Sequence, residues 1–323
     1  MSTAAAADVA PFRLNDEQLA FFDGEGYLVV DELFSEDVIR AVCDEITAEI
    51  DARAAKLVAW GELSGTYAEE DFEHRLARIN DESPALAHSI WNGELCGPAI
   101  FELIRYPRLL DVAEQLCGTE LIASSVYRVR PKVPNHVMSA VPWHQDSGYF
   151  EPYCDDALVL TVWLPLVDAT EANGCLWVKP RSHKGKVIDH YGKTGKPYLL
   201  IRDEDLPSVE PVCVPVRRRG ALLLSNLTPH ASFANTTDMV RWSMDLRYQS
   251  AALPTNANVT RLPGESTADP AAGVPLACYP PEADFLVRSK LRPNEVVTDP
   301  AEFHRLRTRH QKAPVASRWS RLP

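Results

Sequence analysis

The chain has 323 residues, of which 46% are hydrophobic and 24% charged, and it carries a formal net charge of −12 and seven cysteines. This is the composition of a folded globular protein, not of a disordered one, and the acidic balance speaks against a nucleic-acid partner, which needs a basic stripe to meet phosphates. The cysteines are dispersed, odd in number and without a CxxC pair, so neither a disulfide framework nor a zinc site is indicated. With no basic, apolar leader in the opening MSTAAAADVA and no run of about 18 apolar residues, the expectation is a cytoplasmic protein with a small-molecule partner and no membrane attachment.

Residues 14–58 read as helical, with Asn15 or Asp16 as N-cap and Val38, Ile39, Val42, Ile46 and Ile50 at three- and four-residue steps. A short strand, 26–30, interrupts them. A further helix over 98–117 closes at Gly118. From residue 121 the texture changes to short β-branched runs separated by Pro, Gly, Asn and Asp, predicting strands near 121–130, 143–149, 157–166, 175–180, 211–216, 220–225, 230–235 and 241–249. Such a series suits a barrel or a double-sheet jelly roll with the helices packed on one sheet. The triplet Arg217, Arg218 and Arg219 reads as a solvated turn. Residues 184–209, rich in Lys, Gly, Asp and Pro, predict a long excursion of the kind that forms lids. The expected organisation is one domain: a helical part over 1–120, a β core over 121–250 and a loop-rich extension over 251–323.

Chemistry concentrates at Pro142-Trp143-His144-Gln145-Asp146. Residues two apart in an extended segment share a face, so His144 and Asp146 can converge on one metal. A third ligand is needed from elsewhere, and His230, which opens a later β-like run, supplies the type. Two histidines and one carboxylate on one face of an ion, with the opposite positions open, is the donor set of non-haem iron.

Taken together, Trp143-His144-Gln145-Asp146, Asn173-Gly174-Cys175-Leu176, Pro180-Arg181-Ser182-His183 and His230-Ala231-Ser232 with Arg241 eleven residues beyond His230 resemble the phytanoyl-CoA dioxygenase family of Fe(II)/2-oxoglutarate oxygenases. The resemblance extends from Leu14 to Tyr248. It implies a mainly β fold with flanking helices around a double-stranded β-helix, the jelly-roll, cupin-like core. It further implies Fe(II) on His144, Asp146 and His230, with 2-oxoglutarate and O2 as cosubstrates and Arg241 on the distal carboxylate of 2-oxoglutarate. A guanidinium suits that task because it offers two parallel donors and stays charged when partly buried. Ser232, on the face of His230, is expected to add a donor, and Trp163, Thr161 and Tyr127 are expected beside the cosubstrate. His183 reads as structural, and Asn135 and His136 as a solvated loop. Halogenating relatives carry Ala or Gly where this chain has Asp146, so oxygenation is implied. Hydroxylation is the expected outcome; desaturation, epoxidation or cyclisation would use the same ligands, and a non-catalytic sensor would use the same cofactors.

One strand bears on the substrate. Arg241, Ser243, Asp245 and Arg247 alternate with Trp242, Met244, Leu246 and Tyr248, so if Arg241 points inward the other charges do too. Asp245 and Arg247 then either pair with each other or, with Gln145, meet a small polar or carboxylate-bearing substrate held partly by Arg247. No Gly-rich or basic phosphate cradle is visible, which disfavours a coenzyme A ester.

Overall fold

The computed structural model describes residues 10–91, 95–124, 127–135, 140–150, 155–193, 198–252, 284–309 and 321–322. The chain opens with α1 (Asp16–Glu25), which starts where Asn15 and Gln18 close a reciprocal capping box and stops at Gly26, whose φ of 82° favours glycine. β1 (Tyr27–Val30) follows, then α2 (Glu36–Ala59), capped by Ser35, which buries the stripe Ile39, Val42, Ile46, Ile50, Ala54 and Leu57. Two helices that the sequence reading did not delimit come next, α3 (Arg75–Glu82) and α4 (Ala85–Trp91). The helix expected over 98–117 is two, α5 (Pro98–Ile104) and α6 (Pro107–Cys117), because Pro107 can start a helix but not continue one.

The β region begins with β2 (Leu121–Ala123), β3 (Arg128–Lys132) and β4 (Val141–His144). It continues through β5 (Val159–Pro165), β6 (Leu176–Val178), β7 (Tyr191–Lys193) and β8 (Leu199–Leu200). β9 (Val212–Val214), β10 (Ala221–Ser225), β11 (His230–Ser232) and β12 (Arg241–Ser250) complete the core. A strand, β13 (Phe285–Arg288), and a helix, α7 (Pro300–Arg309), stand in the extension expected to be loop, and β14 (Arg321–Leu322) closes the chain. Residues 253–283 and 310–320 of that extension, and His136, lie outside the described residues.

The seven-stranded sheet runs β1-β10-β5-β12-β2-β13, with β3 pairing the first half of β12, and a second sheet runs β4-β11-β6-β9. The two face each other as a jelly roll. Leu222 and Leu224 of one sheet pack with Leu176, Val178 and Val214 of the other. On the outer side of the large sheet, Leu160, Val162 and Leu164 of β5 and Trp242, Met244, Leu246 and Tyr248 of β12 join the helices in the main core. Arg241, Ser243, Asp245 and Arg247 therefore face between the sheets, where they are buried. The Arg217–Arg219 turn is docked rather than simply solvated: Arg218 pairs with Glu36 and Arg219 with Glu32, tying the barrel to the start of α2.

Trp242 stacks on Phe72 at 5.1 Å, donates its indole N–H to the Phe72 carbonyl at 3.0 Å and is fully buried. Trp242→Ala should lower the unfolding free energy by about 3–5 kcal/mol, read as a reduced midpoint in chemical denaturation.

Candidate metal centre

β4 ends at His144, and Asp146 begins a 3-10 turn (Asp146–Tyr149), so the strand expected over 143–149 stops halfway. Gln145 between them keeps extended torsions, φ −103° and ψ 145°, which preserves the alternation that puts His144 and Asp146 on one side. β11 pairs with β4 so that His230 lies opposite His144. Nε2 of each histidine is 3.9 Å from Oδ1 of Asp146, and the rings are 4.2 Å apart. Two donors each bound at about 2.1 Å can be up to about 4.2 Å apart, and with the three ligand atoms all within 4.8 Å of one another the cluster can hold one ion after little adjustment. Both imidazoles are oriented from behind: Nδ1 of His144 donates to the Pro142 carbonyl at 2.8 Å and Nδ1 of His230 to the Thr228 carbonyl at 2.9 Å. Each Nε2 lone pair is thereby left for a metal. Burial, followed by the neighbouring His230, pushes the His144 pKa well down, keeping its ring neutral.

The Asp146 carboxylate is held as firmly. Arg247 places Nη2 3.1 Å from Oδ1 and Nε 3.3 Å from Oδ2, while the Thr161 hydroxyl donates to Oδ2. Burial alone would raise the carboxyl pKa, but Arg247, His230 and His144 outweigh it and hold the group well below the usual carboxylate range. Asn226 fixes the turn that follows, donating its amide to Ser147 Oγ and the Ala157 carbonyl and accepting from the Val159 N–H.

Arg241, opening β12, is buried with its guanidinium over the Trp163 ring at 5.1 Å. Its Nη1 donates to Ser243 Oγ, its Nε has no hydrogen-bond partner, and no carboxylate pairs with it among the described residues. Burial and then Arg130 lower its pKa to about 9. Lys132, opposite Arg241 across the β3–β12 ladder, donates to the Phe233 carbonyl at 2.7 Å, and burial, then Arg241 and Arg130, bring it down to about 6. The glycine of the Asn173-Gly174 motif makes room for it. At φ 82°, a Cβ on Gly174 would meet the Lys132 chain and the Phe233 carbonyl at 2.7 Å. A buried guanidinium with an unpaired Nε, on the inward face of the strand whose Arg247 holds Asp146, fits a metal-chelating ligand with a second, distal carboxylate.

A model of the phytanoyl-CoA dioxygenase family matches residues 22–243. The chain belongs to that family. A probable phytanoyl-CoA dioxygenase of Caenorhabditis elegans is 26% identical over 309 residues, 92% of each chain. Among solved structures, the apo non-haem monooxygenase ThoJ shares the fold at TM-score 0.52 with 20% identity, covering 84% of this chain and 83% of its own. EvdO2 of Micromonospora carbonacea var. aurantiaca does so at 0.51 with 19% identity, covering 77% and 95%. Family membership makes the chain a 2-oxoglutarate-dependent non-haem iron dioxygenase using Fe(II), 2-oxoglutarate and O2, and the His144, Asp146, His230 cluster fits Fe(II). No helix among the described residues is long and apolar enough to cross a membrane.

Not every expected site residue arrives at the metal. Tyr127 is turned into the helical core, where its hydroxyl donates to the Leu95 carbonyl at 2.7 Å and its ring stacks on Phe303. Thr161 supports Asp146 rather than the cosubstrate. Gln145 faces away from the metal, as the residue between two same-face ligands must. Its Nε2 donates to the Leu227 carbonyl and its Oε1 accepts from the Ile188 N–H, both at 2.7 Å, which removes it from substrate. Ser232 shares the His230 face, with its hydroxyl given to the Gly174 carbonyl at 2.9 Å. Asp245 and Arg247 pair at 3.0 Å, the plainer of the two expectations for them. His183 is structural, its Nε2 meeting the Asp23 carbonyl at 3.0 Å. His190, which the sequence reading did not single out, accepts the Gln145 N–H on Nε2 at 2.9 Å. The 184–209 excursion is thus bonded along the ligand strand, also through Ile201 N–H to the Trp143 carbonyl at 2.8 Å.

Arg247→Met leaves Asp146 and Asp245 buried with less compensating charge and should cost about 3–5 kcal/mol of stability. It should also raise the Asp146 pKa. Because Asp146 can ligate only in its ionised form, metal affinity in the variant should fall as pH is lowered through a range where the unmodified protein still binds. Co(II) titrations at descending pH read the difference, and parallel curves for the two proteins would contradict it.

Proposed function

We propose that His144, Asp146 and His230 hold Fe(II), that Arg241 takes the distal carboxylate of 2-oxoglutarate, and that the enzyme hydroxylates a small polar metabolite. The observation that carries this reading is Arg241: a guanidinium buried on the inward face of β12, the face that also carries Arg247, with an unpaired Nε and no carboxylate partner among the described residues. A buried cation without a counter-ion is costly, and a dianionic cosubstrate removes that cost when it binds.

When bound, iron and 2-oxoglutarate supply the oxygen chemistry, with 2-oxoglutarate leaving as succinate and CO2. The chain's own residues position and exclude. Trp163 stacks against the Arg241 guanidinium and fixes the plane of its fork. Ser232 would give up its bond to Gly174 to donate to the distal carboxylate, and Lys132, which donates to the Phe233 carbonyl, stands opposite Arg241 at the same end. Arg247 and Thr161 keep Asp146 ionised and oriented, so the position that halogenating relatives leave open is filled by a carboxylate oxygen. The inward face of β12, polar at every second residue, gives the reaction chamber its polar wall, and this favours a polar substrate over a long acyl chain.

Adding Fe(II) and 2-oxoglutarate anaerobically should give a weak visible charge-transfer band, and admitting O2 should release succinate. A band without succinate would mean a sensor. Arg241→Met should raise the 2-oxoglutarate concentration for half-saturation by tenfold or more, since a hydrogen bond to a charged group is worth about 1.5–3 kcal/mol. An unchanged half-saturation would remove Arg241 from the cosubstrate.

A further inference from the structure

The ion pairs behind the metal cluster continue past Arg247. Asp245 also accepts from Arg130 of β3, whose Nε lies 2.5 Å from Oδ1 and whose Nη2 lies 3.3 Å from Oδ2. Arg130 stands opposite Ser243 in the ladder, on the strand that borders the first half of β12. Its remaining nitrogen, Nη1, has no hydrogen-bond partner among the described residues. A quarter of its side chain, 25%, is exposed, against 5% for Asp245 and 9% for Arg247, so the chain of buried charges opens outward at this residue.

The surroundings of that opening are aromatic. The Arg130 guanidinium lies 5.1 Å from the Trp91 ring centre, and Trp91 meets Tyr198 edge-on at 6.2 Å. Tyr149 connects this corner to the ligands: its ring is T-shaped against His144 at 5.6 Å, and its hydroxyl accepts the Leu199 N–H at 2.8 Å. A tyrosine hydroxyl is neutral near neutral pH, so neither Tyr149 nor Tyr198 compensates the Arg130 charge.

The charge balance gives the sign of the missing partner. Among the described residues, Arg130, Arg241 and Arg247 face Asp146 and Asp245 in this buried group, with Lys132 a further amine beside them. A divalent metal and a dianionic cosubstrate cancel, so at least one positive charge is still in excess after both bind. Arg241 is matched by the cosubstrate and Arg247 lies between two carboxylates, which leaves the excess on Arg130.

We propose that Arg130 is a specificity-determining residue, and that the primary substrate is a small monocarboxylate whose carboxylate pairs with Arg130 Nη1 while its body lies against Trp91 and Tyr198. The assignment rests on the Fe(II)/2-oxoglutarate reading above. Arg suits the task because two of its nitrogens can stay on Asp245 while the third meets the ligand.

The test uses the full chain loaded anaerobically with Fe(II) and 2-oxoglutarate, and a panel of aliphatic and aromatic monocarboxylates, each matched to its carboxamide and to its phosphate monoester. Members of the acid set should shift the charge-transfer band and stimulate succinate release, with their carboxamides and phosphate esters weaker by roughly tenfold or more. Arg130→Gln should erase that discrimination. Arg130→Lys should retain the preference for acids at reduced affinity, which separates a charge requirement from a folding defect. Carboxamides or phosphate esters as effective as the acids, a panel that leaves the band untouched, or an Arg130→Gln variant altered only in its 2-oxoglutarate requirement would each overturn the proposal. Absence of any band in the unmodified protein would instead remove the cosubstrate reading beneath it.

Discussion

Asp146 is buried between two histidines and an arginine, and a carboxylate can be ionised there only because Arg247 brings its guanidinium to both of its oxygens. Taking either charge out of water alone costs several kcal/mol. Much of the interior follows from meeting that requirement. Arg247 needs Asp245 as a second counter-ion, Asp245 accepts Arg130, and Thr161 adds a hydroxyl to the same carboxylate. The Asp146–Arg247 link also spans the gap between the sheets, so the metal ligand is held by the sheet that does not supply the histidines.

The large sheet keeps this polar interior compatible with a stable fold by giving its two faces different work. β12 sends Trp242, Met244, Leu246 and Tyr248 into the helical core and Arg241, Ser243, Asp245 and Arg247 inward. The main apolar core lies on the dry side, where α6 packs on β5 and β12 and α2 packs on α5. The wet side can then carry charges whose burial would not be tolerated without a packed layer behind them. The family motifs outside the ligand set belong to this scaffold. Asn173 closes its turn by accepting the Thr170 N–H, Gly174 clears Lys132, and His183 and Arg181 fasten the β6 end to α1.

Legibility in the sequence followed the range of the interactions. Strands with strict alternation and helices with a marked cap or stripe could be read locally, as β12 and α2 were. The short α3 and α4 could not, because nothing in their composition separates them from loop until they pack. Pro107 was a visible break that a continuous apolar pattern obscured. In the site, His144 and Asp146 were legible as a pair because alternation is local, while His230 and Arg241 were marked only by the family motif; the structure brings the two histidines and the carboxylate together and buries Arg241. Tyr127 was misplaced because β2 and β3, expected as one strand, are two, and its ring joins the helical core beside Phe303. Gln145 was misplaced although alternation alone turns it away from the metal. Arg130, Lys132, His190 and Asn226 had no signal, since each acts on residues distant in the chain.

By itself the sequence determined the family, the jelly-roll core with its helical cover, the two-histidine, one-carboxylate donor set and the inward polar face of β12. These rest on motif, composition and period, which are properties of neighbouring residues. Tertiary structure alone decided which charges pair, that Thr161 serves Asp146, that Arg241 has no carboxylate partner among the described residues and that Arg130 continues the ion-pair chain. Those outcomes depend on strand register across β3, β5 and β12, which brings residues separated by some hundred positions within hydrogen-bond reach, and no local pattern encodes that distance.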